Sequence, residues 1–98
     1  MGIEYQISCA PENFPKIQEL LDRLGGEPSQ QFPQQIEFRF QPSRPDEMPD
    51  ATVVLDIAGI YLCDWGGVRE SVAVLFRRIV DEALTFAAGS EGIVITRL

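Results

Sequence analysis

The sequence predicts an α+β two-layer sandwich, with two helices on one face of a mostly antiparallel sheet. Three observations carry that expectation. Stretches with β-branched and aromatic residues, several alternating with period two, mark strands at 3–8, 36–40, 51–64 and 92–98. Apolar residues at three- and four-residue spacing mark one helix after residue 13 and another after residue 67. Helices and strands are interleaved, and a helix with one apolar face buries it against a neighbouring layer.

The elements follow in order. Ile3, Tyr5 and Ile7 alternate with Glu4, Gln6 and Ser8, as in a half-buried strand. Ala10-Pro11-Glu12-Asn13 is a turn, with Asn13 placed as an N-cap and Pro15 in the first helical turn, where its missing N–H costs nothing. Phe14, Ile17, Leu20, Leu21 and Leu24 form one helix face, and Gly25-Gly26 stops it. Residues 27–34 read as a connecting loop. Ile36, Phe38 and Phe40 alternate with Glu37 and Arg39 as a second strand. Residues 41–50 hold Pro42, Pro45 and Pro49 and read as irregular.

The most strand-like stretch runs from Ala51 to Asp64, and Ala58-Gly59 reads as the tight turn of a hairpin. A single longer strand with a bulge at Gly59 is the alternative. Trp65-Gly66-Gly67 leads into a helix lined by Val68, Val72, Leu75, Ile79 and Ala83, widened by Phe76, Val80 and Leu84. Arg77 with Asp81 and Arg78 with Glu82 stand at i,i+4 on its polar side. Ala88-Gly89 closes it, and Gly92 to Leu98 is the last strand. The resulting order, β-α-β-β-β-α-β, is nearest to a ferredoxin-like split β-α-β arrangement with one extra hairpin strand. That fold hosts unrelated functions and assigns none.

Length and composition bound the rest. The chain has 98 residues, 45% of them hydrophobic and 23% charged, which suits one globular domain spanning 1–98. Eight basic residues against fifteen acidic ones give a net charge of −7. That field repels phosphate backbones and anionic membranes, so neither a nucleic acid nor a membrane is expected as partner. It would draw in a basic protein. No stretch is long and apolar enough to span a bilayer. Met1-Gly2-Ile3-Glu4 lacks the basic and apolar regions of a secretory signal, so the expected compartment is a reducing cytoplasm.

There is no histidine, which removes Ser-His-Asp and Cys-His catalysis and imidazole metal sites. Cys9 and Cys63 lie far apart, and no Cys-x-x-Cys pair exists. No metal and no cofactor are therefore expected. Asp46, Glu47 and Asp50 share a loop, but their spacing misses the calcium-loop pattern. Phe38 and Phe40 sit two apart like the base-stacking aromatics of RNA-binding sheets, yet Ile36 shares their face and the packing explanation is simpler.

One segment stands out: Tyr61-Leu62-Cys63-Asp64-Trp65-Gly66-Gly67-Val68-Arg69, which carries the only tryptophan at a strand-to-helix junction. Tyr61, Asp64, Trp65, Gly66, Gly67 and Arg69 are the candidate binding residues. The leading expectation is a non-enzymatic protein-interaction module that neutralises or regulates a basic partner. A second is a sensing module holding an anionic metabolite at Gly66, Gly67 and Arg69, since glycines let an anion approach a helix start. A third is a cysteine-dependent enzyme using Cys63. Against these stands a purely structural account, with Asp64 capping the helix and Trp65 covering a core edge. Pairing of the last strand with a second copy, giving a homodimer, is a further expectation.

Overall fold

A computed structural model of the chain describes residues 2–32, 34–40, 48–66, 69–86 and 93–98. Its strands are β1 (Ile3–Ile7), β2 (Glu27–Pro28), β3 (Gln35–Phe38), β4 (Ala51–Asp56), β5 (Gly59–Asp64) and β6 (Ile95–Arg97). Its α-helices are α1 (Phe14–Arg23), preceded by a 3-10 turn at Pro11–Asn13, and α2 (Arg69–Phe86). The fold is therefore α+β, with two helices and one six-stranded antiparallel sheet in the order β2-β3-β4-β5-β1-β6.

Register decides which side chains meet the helices. Ile7 opposes Ile60, Leu62 opposes Val53, and Val53 opposes Ile36. These residues share one face of the sheet, because side chains alternate along a strand. All of them are buried, together with Ile17 and Leu21 of α1 and Val72, Leu75, Ile79 and Ala83 of α2. Both helices thus lie on one face. Phe38 is part of that core, and Phe40 packs against it with the two rings stacked 6.1 Å apart.

Several details depart from the sequence expectation. Asn13 sits at the N-cap position of α1, but its side chain makes no capping bond, because the 3-10 turn already gives it helical backbone angles. The helix stops as expected: Gly25 takes a φ of +93°, its N–H donates to the Asp22 carbonyl, and the Gly26 N–H donates to the Leu21 carbonyl. That pair of bonds is a Schellman cap. Residues 27 and 28 form a short edge strand rather than loop, and two residues are too few for a period-two signal. The strand at 36–40 ends at Phe38, because the Phe40 N–H leaves the ladder for the Asp50 carboxylate at 2.8 Å.

The hairpin exists, and its turn is Ile57-Ala58, one residue earlier than expected. Asp56 Oδ1 accepts the Ala58 N–H at 2.8 Å and forms the bend. Gly59 serves as the first paired residue of β5, with a φ of +130°. A Cβ there would run into the Ile7 carbonyl oxygen. The glycine that suggested a turn centre is needed one step later, where backbones approach closely. On α2, Leu84 is exposed rather than part of the buried face, and neither Arg77–Asp81 nor Arg78–Glu82 closes as an ion pair. The end of that helix at Ala88-Gly89 lies outside the described residues.

Candidate functional site

The face of the sheet opposite the helices carries no layer among the described residues. Register places Glu4 and Gln6 of β1, Tyr61 and Cys63 of β5, Thr52 and Val54 of β4, and Gln35 and Glu37 of β3 on it. Such a face should be well solvated, yet Thr52 is only 3% exposed and Cys63 only 2%. Something covers them, and the cover is Trp65.

Three bonds place that ring. The Gly66 N–H donates to Asp64 Oδ1 at 2.8 Å, and Gly66 takes a φ of +87°, so the chain turns sharply after β5. The Trp65 N–H donates to the Asp50 carbonyl at 3.0 Å. The indole Nε1–H donates to Thr52 Oγ1 at 3.0 Å, which lays the ring over β4 on the open face. Gly2 closes the other side: a Cβ there would stand 2.6 Å from Cys63 Sγ and 3.3 Å from Trp65 Cε3. Trp65 remains 37% exposed and forms one wall of a groove of about 700 Å³.

Phe32 and Met48, both exposed, line the groove as well, with Thr52, Glu37, Arg39 and Glu27. Phe32 is held by its own loop. Ser29 Oγ accepts the Gln31 and Phe32 N–H groups at 3.2 Å, and the Gln35 N–H returns to the Phe32 carbonyl at 2.9 Å. Glu37 Oε1 accepts from Arg39 Nη1 at 2.7 Å, with each side chain 17% exposed. Glu27 stands directly opposite Glu37 across β2 and β3. Arg39 already neutralises Glu37, which leaves Glu27 as the exposed carboxylate at this end of the groove.

The predicted site residues divide. Asp64, Trp65 and Gly66 come together in the turn. Asp64 Oδ1 takes the Gly66 N–H, and α2 begins at Arg69. That amide is therefore not open to an anion, and a carboxylate already occupies the place an anion would need. Tyr61 shares the open face but lies opposite Gln6 and Val54, outside the groove. Its hydroxyl pKa is pushed up to about 12, first by burial and then by its hydrogen bond to Glu4. Gly67 lies outside the described residues, and Arg69 is described only as the first residue of α2. Sequence reasoning missed Phe32, Met48, Glu27, Glu37 and Arg39 as lining the same groove as Trp65, since strand register and loop folding bring them together.

Cys63 lies within β5, with its side chain on the face opposite the helices. Burial pushes that thiol pKa up, and Glu4 and Asp64 add to the shift. It stays protonated at neutral pH, the opposite of an activated nucleophile. Both cysteines are free. Among the described residues, no three of Cys, Asp and Glu gather as a metal site. Asp46 and Glu47 lie outside them, and the Asp50 carboxylate accepts from Phe40. No described helix is long and apolar enough to cross a membrane. No protein-family model, no curated protein and no solved structure matches the chain.

Proposed function

We propose that this chain is a non-enzymatic interaction module whose groove beside Trp65 docks a basic segment of a partner protein, neutralising or regulating it. The observation that carries this reading is one juxtaposition. A hydrogen-bonded, part-exposed indole stands in the same groove as the exposed carboxylate of Glu27, beside the Glu37–Arg39 ion pair. A rigid aromatic with a polar anchor is a typical energetic centre of protein interfaces. A lysine or arginine over an indole gains cation–π attraction, and a carboxylate in the same groove extends the match. The net charge of −7 steers a basic partner towards the molecule.

The non-enzymatic part rests on the raised thiol of Cys63 and the lack of histidine. A cytoplasmic location belongs to the same proposal, supported by two free thiols. So does a ferredoxin-like core. What supports it is the run β6-β1-β5-β4, in which β5-α2-β6 is a split unit with β1 inserted, and β2-β3 is the added edge hairpin.

A selection from a library of random twelve-residue peptides tests the proposal. Selected on the intact chain and counter-selected on Trp65→Ala, the survivors should carry lysine or arginine next to apolar residues. Their affinity should fall by at least tenfold in Trp65→Ala, as expected for an interface hot spot worth about 2 kcal/mol. Survivors lacking basic residues, or indifferent to Trp65→Ala, would overturn it.

A further inference from the structure

We infer that β6 is a self-pairing edge, through which two copies of this chain join their sheets about a two-fold axis at Thr96. The two edges of the sheet are built differently. On one side β2 is two residues long and consists of exposed Glu27 and Pro28. A charge and a proline are the usual means of blunting an edge. On the other side β6 has neither a proline nor an acid. The described stretch Ile93-Val94-Ile95-Thr96-Arg97-Leu98 carries no acidic side chain in a chain of net charge −7. Val94 is 65% exposed and Leu98 60%.

The hydrogen bonds fix which groups point outward. The Ser8 N–H donates to the Val94 carbonyl and the Leu98 N–H to the Glu4 carbonyl, each at 2.9 Å. With Gln6 opposite Thr96, residues 94, 96 and 98 therefore turn their backbone groups towards β1. In an antiparallel ladder the orientation alternates, so Ile95 and Arg97 present N–H and C=O outward. A two-fold axis at Thr96 pairs Ile95 of one copy with Arg97 of the second, and the reverse, using all four outward groups of each strand. The same register sets Val94 against Leu98 of the second copy on the open face, and Thr96 against Thr96. Apolar and Thr–Thr cross-strand pairs both favour pairing. The alkyl stem of Arg97 covers Ile95 of the second copy. One short segment is complementary to itself, as a two-fold interface requires.

The Thr96–Thr96 pair is of the closely spaced, non-hydrogen-bonded kind, with Cα atoms about 4.5 Å apart, within reach of a disulfide. In a Cys9→Ser background, Thr96→Cys should therefore oxidise to a linked dimer at least ten times faster than Ile57→Cys at the exposed hairpin tip. Sedimentation velocity on the unmodified chain should show a concentration-dependent monomer–dimer equilibrium. Ile95→Pro removes an outward N–H and leaves the bonds to β1 intact, so it should raise the dimer Kd at least tenfold while thermal unfolding stays cooperative. Thr96→Cys linking no faster than the Ile57→Cys control would overturn the inference. So would a chain that stays monomeric at millimolar concentration, or an association insensitive to Ile95→Pro. None of these results depends on Trp65, so the groove reading stands or falls separately.

Discussion

Two glycines with positive φ separate two costs that a methyl group can incur. Gly25 ends α1 with a φ of +93° and has no atom within 4 Å of where a Cβ would stand. Gly25→Ala should therefore cost only the backbone strain of that conformation, about 1 kcal/mol. Gly59 combines a φ of +130° with a Cβ position blocked by the Ile7 carbonyl oxygen, which belongs to the neighbouring strand. Gly59→Ala should cost clearly more, about 2–4 kcal/mol, since strand and carbonyl must both shift. Urea unfolding of the two variants checks the order, and equal costs would contradict the described hairpin.

Tyr61 makes a pH prediction at the same scale. Its pKa rises to about 12 in the folded chain, against about 10 for an unfolded tyrosine. A raised pKa means that the neutral hydroxyl is favoured on folding. The contribution is thus fully present below pH 10 and is lost as pH climbs from about 10 to 12. Tyr61→Phe should flatten the fall in the urea midpoint over that range and change it little at pH 7. Cys63 is the third case. Burial raises its pKa, so its labelling by a thiol reagent at pH 7 should be slower than that of free cysteine and should recover in urea. Fast labelling of the native thiol would reopen the cysteine-enzyme reading.

At the scale of elements, what the sequence made legible tracks how many residues carry each signal. The apolar faces of α1 and α2 repeat over several turns, and both helices stand where that repeat put them. The alternation of Ile3, Tyr5 and Ile7 identified β1, and the apolar runs on either side of Ala58-Gly59 identified β4 and β5. The misses are short or shared between segments. Glu27–Pro28 is too brief to alternate. The hairpin turn shifted by one residue because Gly59 answers to Ile7, a neighbour distant in sequence. Trp65 was singled out and lines the groove, but the other residues lining it were not legible in the sequence. Phe32 belongs to a loop shaped by Ser29, and Glu37 faces Glu27 only through the β2–β3 register. Of Gly66, Gly67 and Arg69, expected to hold an anion, only the Gly66 amide is described, and it is bonded to Asp64.

For the whole molecule, three parts of one sheet's surface differ in character. One face holds the helices and most of the apolar core, the other carries the groove proposed to dock a basic segment, and β6 is the edge proposed to self-pair. The open face bears Glu4, Glu27, Glu37 and Asp56 against Arg39, and of these Glu27, Glu37 and Arg39 line the groove. Electrostatic steering of a basic partner then predicts slower association at higher salt, while the Trp65 contact governs dissociation. The most direct measurement uses the single tryptophan as reporter. Titration of the intact chain with a selected basic peptide should shift and saturate the Trp65 emission. Replacing the peptide's lysine or arginine by glutamine should weaken binding at least tenfold. Saturable binding that leaves the emission unchanged, or that survives loss of the basic side chain, would contradict the account.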